Sequence, residues 1–157
     1  AKAGKLRIVG DGQNRIDTTY IDNAAQAHLD AFDALHEQPD ARCAGKAYFI
    51  SNGEPRPVAD IINSLLRTAG APIVSQVIPF RAAWWLGAAM ELGYRTLPLR
   101  GEPPMTRFLA EQLSTPHFYD IGAARRDFGY QPRVSIIEGL RHLGAWWREQ
   151  RGADAAA

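Results

Sequence analysis

GDGQNRIDTTYIDNAAQAHLDAFDAL, Gly10 to Leu35, is the stretch whose reading decides the fold. Gly10, Asp11, Gly12 and Asn14 tolerate positive φ or bond their own backbone, so they mark a turn. Ile16 to Ile21 carries the β-branched and aromatic residues that suit a pleated, half-buried strand. Asp22 or Asn23 can accept a bond from the free N–H groups of a helix, which predicts a helix start. Ala24, Ala27, Ala31 and Leu35 follow at near-helical spacing and make a narrow stripe of small residues. Such a stripe lets a helix approach its neighbour closely. Turn, strand and helix in this order point to an α/β protein.

Working outward, Leu6 to Val9 reads as a strand before the turn. Gln38 to Gly45 reads as a loop. Ala47 to Ile50 is a short apolar run bounded by Gly45-Lys46 and Ser51-Asn52-Gly53, as expected of a buried strand. Pro57 suits a first helical turn, and Val58, Ile61, Ile62, Leu65, Leu66 and Ala69 then share one face until Gly70 and Pro72 close the helix. Val74 to Ile78 alternates and reads as a strand ended by Pro79.

Phe80 to Leu97 reads as a long helix, apolar nearly all round through Trp84, Trp85, Leu86, Met90 and Leu92. A membrane span needs about 20 uncharged apolar residues, and Glu91 sits inside this one. A buried or oligomer-facing helix is therefore expected, with contact to a membrane surface as the alternative. Pro98 to Pro104 reads as a loop and Thr106 to Leu113 as a shorter helix. Asp120 is placed to cap a helix that ends at Phe128 and Gly129. Ser135 and Glu138 form a capping box, with Ile137, Leu140, Gly144 and Trp147 as the inward face of the last helix.

The 157 residues suffice for one domain with a core. Lys and Arg number 18 against 17 Asp and Glu, a net charge of +1. That balance argues against a nucleic-acid binder, which needs a concentrated positive face. Cys43 stands alone, so no disulfide framework exists and a reducing, cytoplasmic setting is expected. No His, Cys, Asp or Glu group has metal-ligand spacing. No G-x-S-x-G elbow presents a nucleophile. The first residues carry no long apolar run that reads as a signal peptide, and the abrupt strand start suggests a fragment. Residues 151–157 read as a disordered tail.

Two motifs carry a resemblance. GDGQNRIDTTYIDNAAQAH is similar to the G-x-G-x-N-x-x-D-x-x-Y-[VI]-x-N-x-A-x-A-H pattern of extended short-chain dehydrogenases/reductases, within them the 3β-hydroxysteroid dehydrogenase/isomerase-like branch. HFYDIGAARRDFGYQPRVSIIEGLRHLGAWW resembles the C-terminal signature of that family through Asp120, Ala124, Phe128, Gly129, Tyr130, Pro132, Ser135, Glu138, Gly139, Leu140 and Trp147. Ala123-Ala124-Arg125 departs from the Lys-Ala of many members. Tyr48, Ile50 and Gly53 match the family's last parallel strand. The runs PFRAAWWLGAAMELGYR and ARRDFGYQPRVS resemble the bacterial enzymes of the branch that reduce 2-alkyl-3-oxoalkanoates in long-chain olefin biosynthesis.

The resemblance implies the C-terminal part of a Rossmann-type reductase: last strand–helix units plus a mostly helical substrate lobe over residues 1–150. It implies NADP or NAD, bound mainly by a missing N-terminal domain, and reduction of the 3-oxo group of a hydrophobic substrate. A 3β-hydroxysteroid or a nucleotide sugar is the alternative substrate. A homo-oligomer and a multi-enzyme assembly are the implied partners, and a non-catalytic binding module is the alternative class.

The family's acid–base machinery is a Tyr-x-x-x-Lys. Tyr20, Tyr48, Tyr94, Tyr119 and Tyr130 are followed four residues on by Ala, Asn, Pro, Ala and Val, so no catalytic residue is assigned and the chain alone is expected to be inactive. Gly10 and Gly12 lack the third glycine and the following helix of a dinucleotide fingerprint, which leaves a hairpin turn. The substrate-contact candidates are Phe80, Trp84, Met105, Phe108 and His117, each with plain packing or a loop position as the alternative. His28 is expected to be a hydrogen-bonded packing residue, His36 and His142 solvent-facing, and the Arg-rich C-terminal end a solvated helix face.

Overall fold

The strand periodicity of the sequence yields only two short ladders in the computed structural model, which describes residues 6–38, 40–97 and 101–156. β1 (Ile8–Val9) pairs in parallel with β4 (Val77–Ile78), and β2 (Arg15–Ile16) pairs antiparallel with β3 (Arg56–Pro57). The helices are α1 (Ile21–Glu37), α2 (Val58–Thr68), α3 (Phe80–Thr96), α4 (Arg107–Ser114), α5 (Gly122–Phe128) and α6 (Ile136–Ala156). The class is α/β and helix-rich. The described residues form two compact units, one of residues 6–16, 56–97 and 101–117, the other of residues 17–38, 40–55 and 118–156.

In the first unit β1 is buried, and α2 turns Val58, Ile61 and Leu66 inward as its apolar spacing requires. Leu65, expected on the same face, is 43% exposed. Pro57 serves both as the residue before α2 and as a β3 residue, which suits a side chain with fixed φ and no N–H to donate. Pro79 likewise precedes α3. An apolar cluster of this unit joins Val9, Ala83 and Ala110, with Ile78, Trp84, Met105 and Leu113 packed against it.

Three expectations for the second unit are corrected. The strand predicted over Ile16 to Ile21 stops at Ile16. Residues 17–20 are tied instead by single bonds: the Asp17 carboxylate accepts from Ser51 Oγ at 2.7 Å and from the Glu54 N–H at 3.3 Å, and Thr18 O accepts from the Asn52 N–H. Helix α1 starts at Ile21 after Tyr20, and neither Asp22 nor Asn23 caps it, because Asn23 turns inward and is 1% exposed. Ala47 to Ile50 belongs to no ladder among the described residues. Tyr48 and Ile50 pack against the cluster of Ala27, Ile121, Ala124 and Tyr130, while Phe49 is 60% exposed and stacks on Tyr119. Burial alternates along this run, Tyr48 and Ile50 inward and Phe49 outward, where the continuous apolar run predicted a strand buried on both faces.

The inward face of helix α6 keeps the expected Gly144 but takes Ile136 and Gly139 in place of Ile137. Ile136, Gly139 and Gly144 are buried, while Ile137 is 66% exposed. The Tyr20 ring lies flat against Gly139, where any Cβ would stand 2.7 Å from Tyr20 Cδ2. The capping box is half formed: Ser135 Oγ accepts from the Glu138 N–H at 3.2 Å, whereas the Glu138 carboxylate goes to Arg141. The α6 backbone stays helical to Ala156, across most of the predicted tail, and Ala157 lies outside the described residues. The predicted loop at 98–104 falls in part outside them. No helix among the described residues is long and apolar enough to cross a membrane.

Candidate functional site

The first unit carries the candidate site on the α3–α4 pair. α3 is built mostly of good helix formers and aromatics, and the apolar surface runs round it, yet only Ala83 and Gly87 are buried. The reason is the neighbour. A Cβ on Gly87 would meet the Thr106 carbonyl carbon at 2.5 Å and the Arg107 nitrogen at 2.7 Å, so α4's first turn lies directly on the glycine. Thr106 caps that turn, its Oγ1 accepting from the Leu109 N–H at 3.0 Å.

Glu91 locks the junction. Its Oε1 accepts from the backbone N–H of Arg107 at 2.7 Å and its Oε2 from Arg107 Nε–H at 2.7 Å. The backbone N–H of Arg107 is the main reason the Glu91 carboxyl lies below its ordinary range, followed by the Arg107 side chain, with burial opposing. The Arg107 guanidinium lies 5.6 Å from the Trp84 ring centroid, a cation–π distance. Trp84 meets Trp85 edge-on at 5.0 Å.

Two open depressions flank this junction. One, about 200 Å³, is lined by Phe80, Arg81, Trp84 and Trp85. The other, about 240 Å³, is lined by Ala88, Glu91, Leu92, Arg95 and Arg107. Phe80 and Trp84 thus share a depression, and Trp84 and Met105 pack on one apolar cluster. Phe108 is 66% exposed on α4 and lines neither depression. His117 also lines neither. It extends the β2 edge, its N–H donating to Arg15 O at 2.8 Å, and its Nε2 lies 2.9 Å from Thr115 Oγ1.

The Gly10–Gly12 turn does not fit a pyrophosphate. A Cβ on Gly12, at φ +72°, would stand 2.9 Å from both Ala59 Cβ and Ile8 Cγ2. The glycine is there so that β1 and α2 can close upon it, and the space a phosphate would need is filled by the protein itself.

The second unit is held by polar groups whose residue types suggest caps and surface. Asn23 donates to Asn52 Oδ1 and Val134 O and accepts from the N–H groups of Arg133 and Val134. Buried Tyr130 donates to Ser51 O at 2.9 Å. His142, expected in solvent, is half-buried, with Nδ1 3.0 Å from the Tyr20 hydroxyl and Nε2 3.2 Å from Glu138 Oε1. His28 is hydrogen-bonded to Ala24 O as expected, but on an exposed face. Burial first, then Asp127, pushes the Tyr48 phenol up to about 12, and the Tyr48 hydroxyl in turn holds the Asp127 carboxyl below its usual range, with help from Lys46.

Arg95 and Arg107 are site residues that sequence reasoning does not single out. Nothing in the spacing links Glu91 to a residue 16 positions on; the signal is that it is the single carboxylate of a largely apolar helix.

A model of the 3-beta hydroxysteroid dehydrogenase/isomerase family matches residues 1–80, half of the chain, and the chain belongs to that family. It is 61% identical over 145 residues to a 2-alkyl-3-oxoalkanoate reductase of Stenotrophomonas maltophilia, covering 92% of this chain and 43% of the relative. A 2-alkyl-3-oxoalkanoate reductase of Shewanella oneidensis is 48% identical, with 92% and 37% covered. The chain therefore spans about two fifths of the curated relatives it matches. Among solved structures it is similar to a UDP-glucuronic acid 4-epimerase of Bacillus cereus in complex with NAD, at TM-score 0.55 and 19% identity over 92% of this chain and 34% of that one. A UDP-glucose-4-epimerase of Stenotrophomonas maltophila with bound NAD gives 0.58 and 18% over 96% and 38%. At these identities the likeness is one of fold, and that fold is the Rossmann-type reductase and epimerase architecture expected from the sequence.

Proposed function

We propose that the chain is the substrate-binding part of an NAD(P)-dependent oxidoreductase that reduces the 3-oxo group of a hydrophobic substrate, a 2-alkyl-3-oxoalkanoate. The observation that carries this reading is the similarity to the Stenotrophomonas and Shewanella reductases across nearly the whole chain. The aromatic, largely exposed α3 supports a lipid-like substrate.

The cofactor supplies the hydride, and a dinucleotide-binding part outside this sequence holds it, since the Gly12 turn is packed shut. The residues here bind and orient. Phe80, Trp84, Met105 and Phe108 offer apolar surface to the alkyl chains, which lowers the cost of taking the substrate from water. His117, anchored by backbone and by Thr115, borders the same lobe. No Tyr-x-x-x-Lys occurs in these 157 residues, so proton transfer is not assigned to this chain and the chain alone is expected to be inactive. The same proposal takes the parent enzyme to be a cytoplasmic homo-oligomer that works within a multi-enzyme assembly of olefin biosynthesis.

NADH and NADPH oxidation with a 2-alkyl-3-oxo acid tests this directly, on this chain and on the longer polypeptide of its reading frame. Turnover by the long form and none by the short one is expected. A long form that turns over neither cofactor defeats the proposal.

A further inference from the structure

We infer that the depression formed by Ala88, Glu91, Leu92, Arg95 and Arg107 is the binding site for the carboxylate head of a long-chain acid. The inference deepens the reductase reading, and its bearing on turnover rests on that reading.

Trp85, Ala88, Leu92 and Arg95 stand at i, i+3, i+7 and i+10, which is one stripe of the helix. The stripe runs along about 15 Å of helix, with apolar surface first and a cation at its end. Trp85 and Leu92 are 66% and 62% exposed, so the apolar part faces water. An amphiphile with a single anionic end has this pattern reversed and complementary.

The cationic end is built. Glu91 takes the Nε–H and the backbone N–H of Arg107, and the Trp84 ring supports the guanidinium from one face. The fork is thus held in one orientation with its terminal nitrogens uncommitted to Glu91. Arg95 makes no ion pair among the described residues. A guanidinium matches a carboxylate through two parallel N–H donors, and a fixed fork loses less entropy in doing so.

Charge and size choose the ligand. Two arginines against one glutamate leave one net positive charge, which suits a monoanion and not a diphosphate. A volume of about 240 Å³ holds a carboxylate and its first methylenes. The remaining chain then lies along Leu92 and Trp85.

The test uses myristate and tetradecanol below their aggregation limits, measured by calorimetry on this chain and on Arg95→Gln. Arg95 is exposed, so the variant folds. Myristate binding that weakens about tenfold in Arg95→Gln, the loss of one charge-assisted bond, with tetradecanol unaffected, supports the site. Equal myristate binding by both proteins overturns it. So does uridine diphosphate binding more tightly than myristate, or Arg95-dependent binding to phosphatidylglycerol vesicles without binding of monomeric myristate. In the longer reductase, Arg95→Gln should raise KM for a 3-oxo acid about tenfold at unchanged kcat. An unchanged KM with normal turnover sinks the head-group site alone. Absent turnover in the wild type sinks the reductase reading alone, and the site then stands or falls on the myristate result.

Discussion

Replacing Asn23 with alanine tests whether an inward asparagine, and not a helix cap, joins α1 to the chain before α6. Asn23 is 1% exposed and makes four hydrogen bonds. Asn52 Oδ1 would keep the Tyr20 N–H, and Val134 O would keep Asn52 Nδ2, so those acceptors remain satisfied. The N–H groups of Arg133 and Val134 would lose their shared acceptor. Two orphaned donors at about 1–1.5 kcal/mol each, the low end because Arg133 lies near solvent, cost about 2–3 kcal/mol. With a urea m-value of about 2 kcal/mol/M, the midpoint falls by about 1–1.5 M. The neighbouring Asp22→Ala is the control, since Asp22 is exposed and makes no cap. It should change stability by only the few tenths of a kcal/mol expected of a first-turn acid. Asn23→Ala within 0.5 kcal/mol of wild type (about one surface substitution), or Asp22→Ala as costly as Asn23→Ala, would refute the reasoning.

Gly87→Ala drives a methyl into the backbone of Thr106 and Arg107 and should destabilise by about 2–3 kcal/mol; near-ultraviolet dichroism of Trp84 should change while helix content holds, and an unperturbed Trp signal speaks against the close approach. Gly12→Ala combines positive φ with two contacts at 2.9 Å and should cost more than about 2 kcal/mol, read by thermal unfolding; a neutral result contradicts the packed turn. For the Tyr48–Asp127 pair the signs differ. The raised Tyr48 pKa contributes stability that is complete below about pH 10 and is lost as pH climbs toward about 12. The lowered Asp127 pKa contributes stability present above about pH 4 and lost as pH falls through the folded value. Tyr48→Phe should flatten the alkaline limb and move the Asp127 carboxyl resonance back toward the ordinary range. An Asp127 titration unchanged in that variant rules out the hydroxyl as its main cause.

Elements set by local periodicity are legible in the amino-acid sequence itself. The α2 face, the Pro79 boundary and the Gly129 stop need only side-chain spacing and backbone chemistry, which act over one or two turns. The family is legible for the same reason, because its motifs are strings of turn, cap and small-residue positions. Strand length is not. The alternation of Ala47 to Ile50 is real, but a ladder needs a partner, and pairing is a long-range property. Asn23 bears the chemistry of a cap, and only the arrival of Asn52 and Val134, 29 and 111 residues away, turns it inward. The face of α6 is decided by the Tyr20 ring seated on Gly139. The candidate head-group site depends on Glu91 meeting Arg107 across the Gly87 contact, which places two arginines and an apolar stripe together. Local chemistry is written residue by residue; which distant groups satisfy it is settled when the chain packs.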